Sequence, residues 1–338
     1  MWYNIWHEDG TGDIAYAESD DGISWTKSPI NPVLSPGTPG QWGQPAVAFV
    51  EGSDGSVLDG FTVRNGEALR GGGILVEGTG GTIRNCTVVN NTAYETGGGV
   101  MINSGARAVI QSNQILSNTV PESPGSGVCI DSSEVLLDSN LIAYNACTDY
   151  VHGNGAIGID MDGPSLPVTV TNNVVVFNTD KGIMVNDGVH DLQIINNTIA
   201  SNRNEGILAW GTITVSLLRN NIIALNGYDC GIAAAQGAEF QTLDHNDVWQ
   251  DDYCDYGGAV NPPTPGIGSI SEDPLFVDVA NGDFHLQADS PCIDAGTSVG
   301  APATDIEGTL RDAIPDIGAY EWGKYRIFLP LTLRNVGS

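Results

Sequence analysis

The stretch Asp191–Asn226, DLQIINNTIASNRNEGILAWGTITVSLLRNNIIALN, says the same thing twice. Asn197-Thr198-Ile199-Ala200-Ser201-Asn202 returns as Asn221-Ile222-Ile223-Ala224-Leu225-Asn226. Each copy is an Asn, an apolar residue two places on, and a second Asn five places on. A repeat of fixed period outranks local propensity in deciding a fold. Working outward, the first Asn recurs at Asn85, Asn113, Asn140, Asn173, Asn197, Asn221 and Asn246. The second recurs at Asn65, Asn90, Asn118, Asn145, Asn178, Asn202 and Asn226, with Asp251 closing the series. The step is about 24 to 28 residues, lengthening once between Asn145 and Asn178. A Gly and a β-branched residue follow each pair, as in Gly73-Ile74, Gly99-Val100, Gly182-Ile183, Gly206-Ile207 and Gly231-Ile232.

Between these markers apolar residues alternate or form short β-branched runs such as Val174-Val175-Val176, and no helical spacing persists over ten residues. Short strands broken at a fixed period suit a coil that climbs one strand spacing, about 4.8 Å, per turn. An Asn at an equivalent corner of every coil can hydrogen-bond its counterparts above and below, which satisfies a buried amide and the turn backbone together.

The text SVLDGFTVRNG…GGGI…TIRNCTVVNNTAYETGGGV resembles the right-handed parallel β-helix repeat of the pectate-lyase-like superfamily, over roughly Ala46 to Tyr256. The resemblance implies an all-β, single-stranded right-handed parallel β-helix of about eight coils. It does not imply one activity, because the same fold serves lyases, hydrolases, epimerases, tailspikes and non-catalytic surface proteins. The expected divisions are residues 1–45, 46–256 and 257–338. In the first, IAYAESDDGISWTKSPINPVL resembles one blade of the β-propeller glycosidases. Its three short strands fall at Met1–Trp6, Asp13–Ala17 and Gly22–Trp25, and a lone blade reads as a remnant that packs on or caps the helix. In the last, SPCIDAG (Ser290–Gly296) and DIGAYE (Asp316–Glu321) resemble the C-terminal cap of extracellular β-helix proteins. The terminal run Tyr325–Leu333 reads as one apolar strand.

Composition narrows the partners. Asp and Glu outnumber Lys and Arg by 41 to 12, for a net charge of −29. Nucleic acid and anionic membrane surfaces are poor partners for such a chain, since phosphate binding needs clustered cations. Divalent cations, calcium above all, or neutral sugars are compatible with it. No stretch is long and apolar enough to cross a membrane, and the first residues do not read as a signal peptide. A monomer, extracellular or at the cell surface, is expected, as a piece of a longer exported chain or one whose leader was removed. Cys230 and Cys254 lie about one coil apart, within reach of a disulfide. Cys86, Cys129, Cys147 and Cys292 lack zinc-ligand spacing and read as buried free thiols.

The turn after the second Asn falls on one flank, coil after coil, and brings acids and tyrosines into file. Tyr94, Glu95, Asp149, Tyr150, Glu205 and Tyr228 are therefore expected to bind a polysaccharide, with sugar faces on the rings and hydroxyls on the carboxylates. Trp210 reads either as a further platform or as a ring covering the helix wall. A lyase must neutralise a uronate carboxylate and remove the neighbouring proton. Lys181, the only Lys between Lys27 and Lys324, has His152 and Arg203 as coil neighbours and is the expected base cluster. Asp149, Asp160, Asp162 and Asp180 are the expected calcium ligands; alternatively Lys181 simply pairs with Asp180 or Glu205. An inverting hydrolase would draw on the same four Asp residues. A non-catalytic glycan-binding or adhesion rod needs none of this machinery, and the three readings stand open at the level of sequence.

Overall fold

A computed structural model describes residues 45–50, 55–121, 125–148, 155–161, 165–258 and 262–323 in full, and residues 2–6, 12–18 and 26–27 by their backbone. The chain winds into a parallel β-solenoid of about eight turns. Sheet I has nine strands running from Val47–Val50 to Cys254–Gly258. Sheet II, also of nine, starts at Ser56–Asp59, and sheet III holds eight, from Thr62–Arg64 to Asp247–Trp249. Strands stack in parallel register, so Val175, Ile199 and Ile223 stand one above another. Inward side chains such as Ile183, Ile207 and Ile232 from sheet I and Ile199 and Ile223 from sheet III are fully buried and form one continuous core.

Two amide ladders run up the corners on either side of sheet III. The first passes from Asn113 through Asn140, Asn173, Asn197 and Asn221 to Asn246, with Nδ2–Oδ1 distances of 2.9–3.0 Å. The second passes from Asn91 through Asn118, Asn145, Asn178, Asn202 and Asn226 to Asp251 at 2.9–3.1 Å. Each Oδ1 also accepts a backbone N–H from the preceding coil, as Asn140 does from Asn113 at 2.9 Å. The second Nδ2 proton reaches a carbonyl, as in Asn113 to Ile83 at 2.9 Å. A buried carboxamide is thereby saturated, which is what makes its burial tolerable. Both ladders take the same steps, including one of 33 residues, from Asn140 to Asn173 and from Asn145 to Asn178. The longer coil thus adds no break to either ladder.

The expected ladder is one residue out of register in the first coils. Asn65, Asn85 and Asn90 have φ of 58°, 53° and 55° and precede the ladder position. That position is held by Gly66, Cys86 and Asn91, whose backbone N–H groups meet the Oδ1 of Asn91, Asn113 and Asn118. Asn is the non-glycine residue that best tolerates the left-handed region. Every corner needs one left-handed residue and one ladder residue, and the doublets Asn172-Asn173, Asn196-Asn197 and Asn220-Asn221 supply both in turn. Where only one Asn is present, the sequence does not say which place it fills.

Near the N-terminus Trp2–Trp6, Gly12–Glu18 and Thr26–Lys27 form a small antiparallel sheet. The third strand was expected at Gly22–Trp25, which lies outside the described residues, as does the expected terminal strand Tyr325–Leu333. At the other end Ile270 bridges to Asp247 and adds one irregular rung. The chain then turns back along the outer face of sheet III. There Phe284, Leu286, Ile317 and Ala319 bury Val174, Val176, Ala200, Ile222 and Ala224. The left-handed Asn residues dock this cap: Asn172, Asn196 and Asn220 donate to carbonyls of Thr304, Asp316 and Thr297 at 3.0, 3.1 and 2.8 Å.

The two distinctive C-terminal phrases are structural glue. Among the described residues the cap contains one short antiparallel strand pair, Phe276–Asp278 with Asp283–Leu286, and the isolated bridge Thr304–Leu310, so carboxylates serve its backbone instead of a ladder. Asp316 accepts the N–H groups of Asp294 and Trp322, and Glu321 accepts those of Asp312 and Asp316. Buried Arg311 binds Glu321 at 3.1 Å and the helix residue Asn172 at 3.0 Å. Cys292 donates its thiol to Asp247 of the last sheet III strand at 3.1 Å.

Candidate functional site

Along a strand, alternate residues share a face. In sheet I, Ile183, Val185, Ile207 and Ala209 point into the core, so Met184 and Leu208 point outward. Pairing puts Met184, Leu208, Ala233 and Gly257 in one outward row. The side chain shrinks along it, from Met and Leu to Ala and Gly, and the wall is hollowed over the last coils. The next row pairs Trp210 with Ala235. The result is a trough of about 470 Å³, floored by Ala233, Ala234, Ala235, Gly257 and Gly258. Such a volume falls within the range of ligand clefts.

Trp210 stands at one end of this trough, 42% exposed, and Tyr253 at the other, 83% exposed. Cys230–Cys254, neighbours across the two coils with Cα atoms 4.4 Å apart, form the expected disulfide beside Tyr253. From Cys230 to Ala235 is five residues, so the trough measures about 16 Å along the strands. Glu205, Asp229, Tyr256 and Pro262 also line it. The four other cysteines are buried and form no disulfide.

Glu205 belongs to a buried ion cluster. Lys181 Nζ lies 3.1 Å from Asp180 Oδ1 and 3.5 Å from Glu205 Oε2, and the three side chains are 10%, 4% and 10% exposed. Asp180 Oδ1 further accepts the Lys181 N–H and the Asn204 amide at 2.9 and 2.8 Å. Burial pushes the Glu205 carboxyl above its ordinary range, and the Lys181 ammonium pulls part of that back. Lys181, expected as a base, thus has its side-chain nitrogen held between two carboxylates. Proton abstraction requires a free amine. The pairing alternative describes it, buried rather than on the surface.

The expected file of edge residues is described toward its two ends. Arg203 lies with its guanidinium 5.4 Å from the centre of the Tyr228 ring, next to the trough. Tyr94 and Glu95 stand five coils away, about 24 Å at one strand spacing per coil. There Tyr94 binds Glu67, and Glu95 pairs with Arg70 at 2.7 Å. His152, Asp149, Tyr150 and Asp162 lie outside the described residues. Asp160 ends one sheet I strand while Asp180 precedes Lys181 at the start of the next. They are separated by about 16 Å or more along the strand, too far to share an ion. Among the described residues no three His, Cys, Asp or Glu side chains converge on a metal position.

Sequence reasoning missed the floor of the trough, although a signal exists. Aligning the markers as Gly182-Ile183-Met184, Gly206-Ile207-Leu208 and Gly231-Ile232-Ala233 exposes the outward taper.

Among known structures the fold is similar to the crystal structure of pectate lyase Pel9A, with a TM-score of 0.52 and 14% identity over 84% of this chain and 75% of that one. At that identity the likeness speaks to the fold alone. No curated protein matches the sequence. The family model described as "Right handed beta helix region" matches residues 43–223 and again 157–259, together more than half of the chain. A solenoid of parallel rungs, two saturated ladders and that match make the chain a member of the right-handed beta helix family.

Proposed function

We propose that this β-helix is a polysaccharide-directed protein that holds a glycan segment in the trough of its last coils. The observation that carries this reading is the trough itself, an apolar floor of Ala and Gly with Trp210 and Tyr253 at its ends and Glu205 and Asp229 in its wall. Sugar rings stack their C–H faces on aromatic side chains, and their hydroxyls bond to carboxylates in small, fixed numbers. A groove of this composition meets both needs. The segment lies along the strands, across the helix axis, rather than along an eight-coil edge. An extracellular or surface location accords with the Cys230–Cys254 bridge, since disulfides persist in oxidising compartments. No helix among the described residues is long and apolar enough to cross a membrane.

Calcium-assisted β-elimination of uronates draws limited support from the described residues. Arg203 can meet a carboxylate, but Lys181 is committed internally, and no step is assigned to an ion. Titration with an oligosaccharide panel tests the binding reading. Trp210→Ala lowers affinity about five- to tenfold, as loss of one stacking platform of roughly 1–1.5 kcal/mol requires, while the far-UV spectrum is unchanged. Affinity that survives both Trp210→Ala and Tyr253→Ala overturns it.

A further inference from the structure

Building on the glycan reading, we infer that the trough takes a glycan without acidic groups, neutral or amino-bearing, and turns away polyuronates. The charges around it are carboxylates: Glu205 and Asp229 line it, and Asp252 accepts the Tyr228 N–H at its rim. Against these three acids stand, among the described residues, two cations. Lys181 is spent on Asp180 and Glu205, with its side chain only 10% exposed. Arg203 alone faces outward, over Tyr228. A uronate in each sugar would bring a carboxylate into this field at every step. Like charges inside a partly desolvated groove repel strongly enough to set specificity. Hydroxyls and ammonium groups instead find acceptors: a carboxylate is acceptor-only and offers about four lone-pair sites.

The chain as a whole points the same way, since its charge of −29 slows the approach of any polyanion at low ionic strength. The long-range part of that barrier fades with salt, because the Debye length shrinks to about 8 Å at physiological ionic strength.

Calorimetric titration with neutral β-glucan oligosaccharides, chitosan oligosaccharides and oligogalacturonates, at low and high NaCl, separates the outcomes. At low salt the neutral or the amino-bearing series binds at least about tenfold tighter than the oligogalacturonates, and the gap narrows as salt is added. Asp229→Asn keeps the oxygen that caps the Cys230 N–H and narrows the gap further by improving oligogalacturonate binding. Tighter binding of oligogalacturonates at low salt, still sensitive to Trp210→Ala, overturns the charge inference and leaves the trough in place. Silence from all three series removes the trough reading itself.

Discussion

Sheet III is built twice, once against water and once against the cap. In its early coils the outward positions are polar or half-exposed: Thr62 and Arg64, Thr87 and Val89, Gln114 and Leu116. In its later coils they are Val174 and Val176, Thr198 and Ala200, Ile222 and Ala224, all buried. The inward residue between each pair barely changes, from Val63 and Val88 to Val175 and Ile223. One face of the strand therefore specifies the coil, and the other specifies what lies on it. A strand that is apolar on both faces is the mark of a sheet covered on both sides.

The largest way to break this comparison is to put a charge under the cap. Ile222→Asp buries a carboxylate against Phe284 and Ile317 and is expected to cost about 3 kcal/mol or more in urea unfolding. Val89→Asp, at the equivalent outward site of an early coil, should stay within about 1 kcal/mol. Equal losses would show that the cap contributes nothing to the later coils.

The second comparison is between a corner's two residues. Asn113→Ala strips the acceptor from the Cys86 backbone N–H and the Nδ2 donor from Asn140 Oδ1 and Ile83 O, at about 2–4 kcal/mol. Asn85→Ala, in the left-handed place one coil below, should cost only about 1–2 kcal/mol. A larger loss at Asn85 would reverse the register assigned here.

The smallest effect contrasts the ends of the two ladders. One ends on Asn246, the other on Asp251, whose Oδ1 accepts the Asn226 backbone and amide N–H groups at 2.9 Å while its buried Oδ2 has no partner among the described residues. Burial pushes this carboxyl up to about 8, against the pull of those hydrogen bonds. The native state then holds a proton that the unfolded chain, titrating near 4, releases. Its contribution is complete below about pH 4 and is lost as pH rises toward 8. Asp251→Asn should remove that slope and raise stability by about 1 kcal/mol at pH 8. An unchanged pH profile would place the titration elsewhere, with Asp247 and Asp316, both pushed up to about 6, the next groups to examine.

The same division explains what could be read from the residues alone. Inward periodicity and paired asparagines announce a β-helix, because the core and the ladders repeat in every coil. The Cys230–Cys254 bridge follows from that repeat as well. The trough does not, because it arises where the outward row departs from its own pattern, at Ala233 and Gly257. Lys181 stands out by its rarity, and Asp180 and Glu205 can be named as its partners from the repeat, but the burial of all three shows only once neighbouring coils are stacked. Asn85 and Asn90 mislead for a related reason: left-handed turns and amide ladders favour the same residue.

The 33-residue coil carries a further consequence. Since both ladders cross it with ordinary hydrogen bonds, chain length between corners is decoupled from the spine. Such a scaffold accepts spliced peptide at its corners much as a rail accepts carriages, so recognition can be rewritten loop by loop without renegotiating the interior.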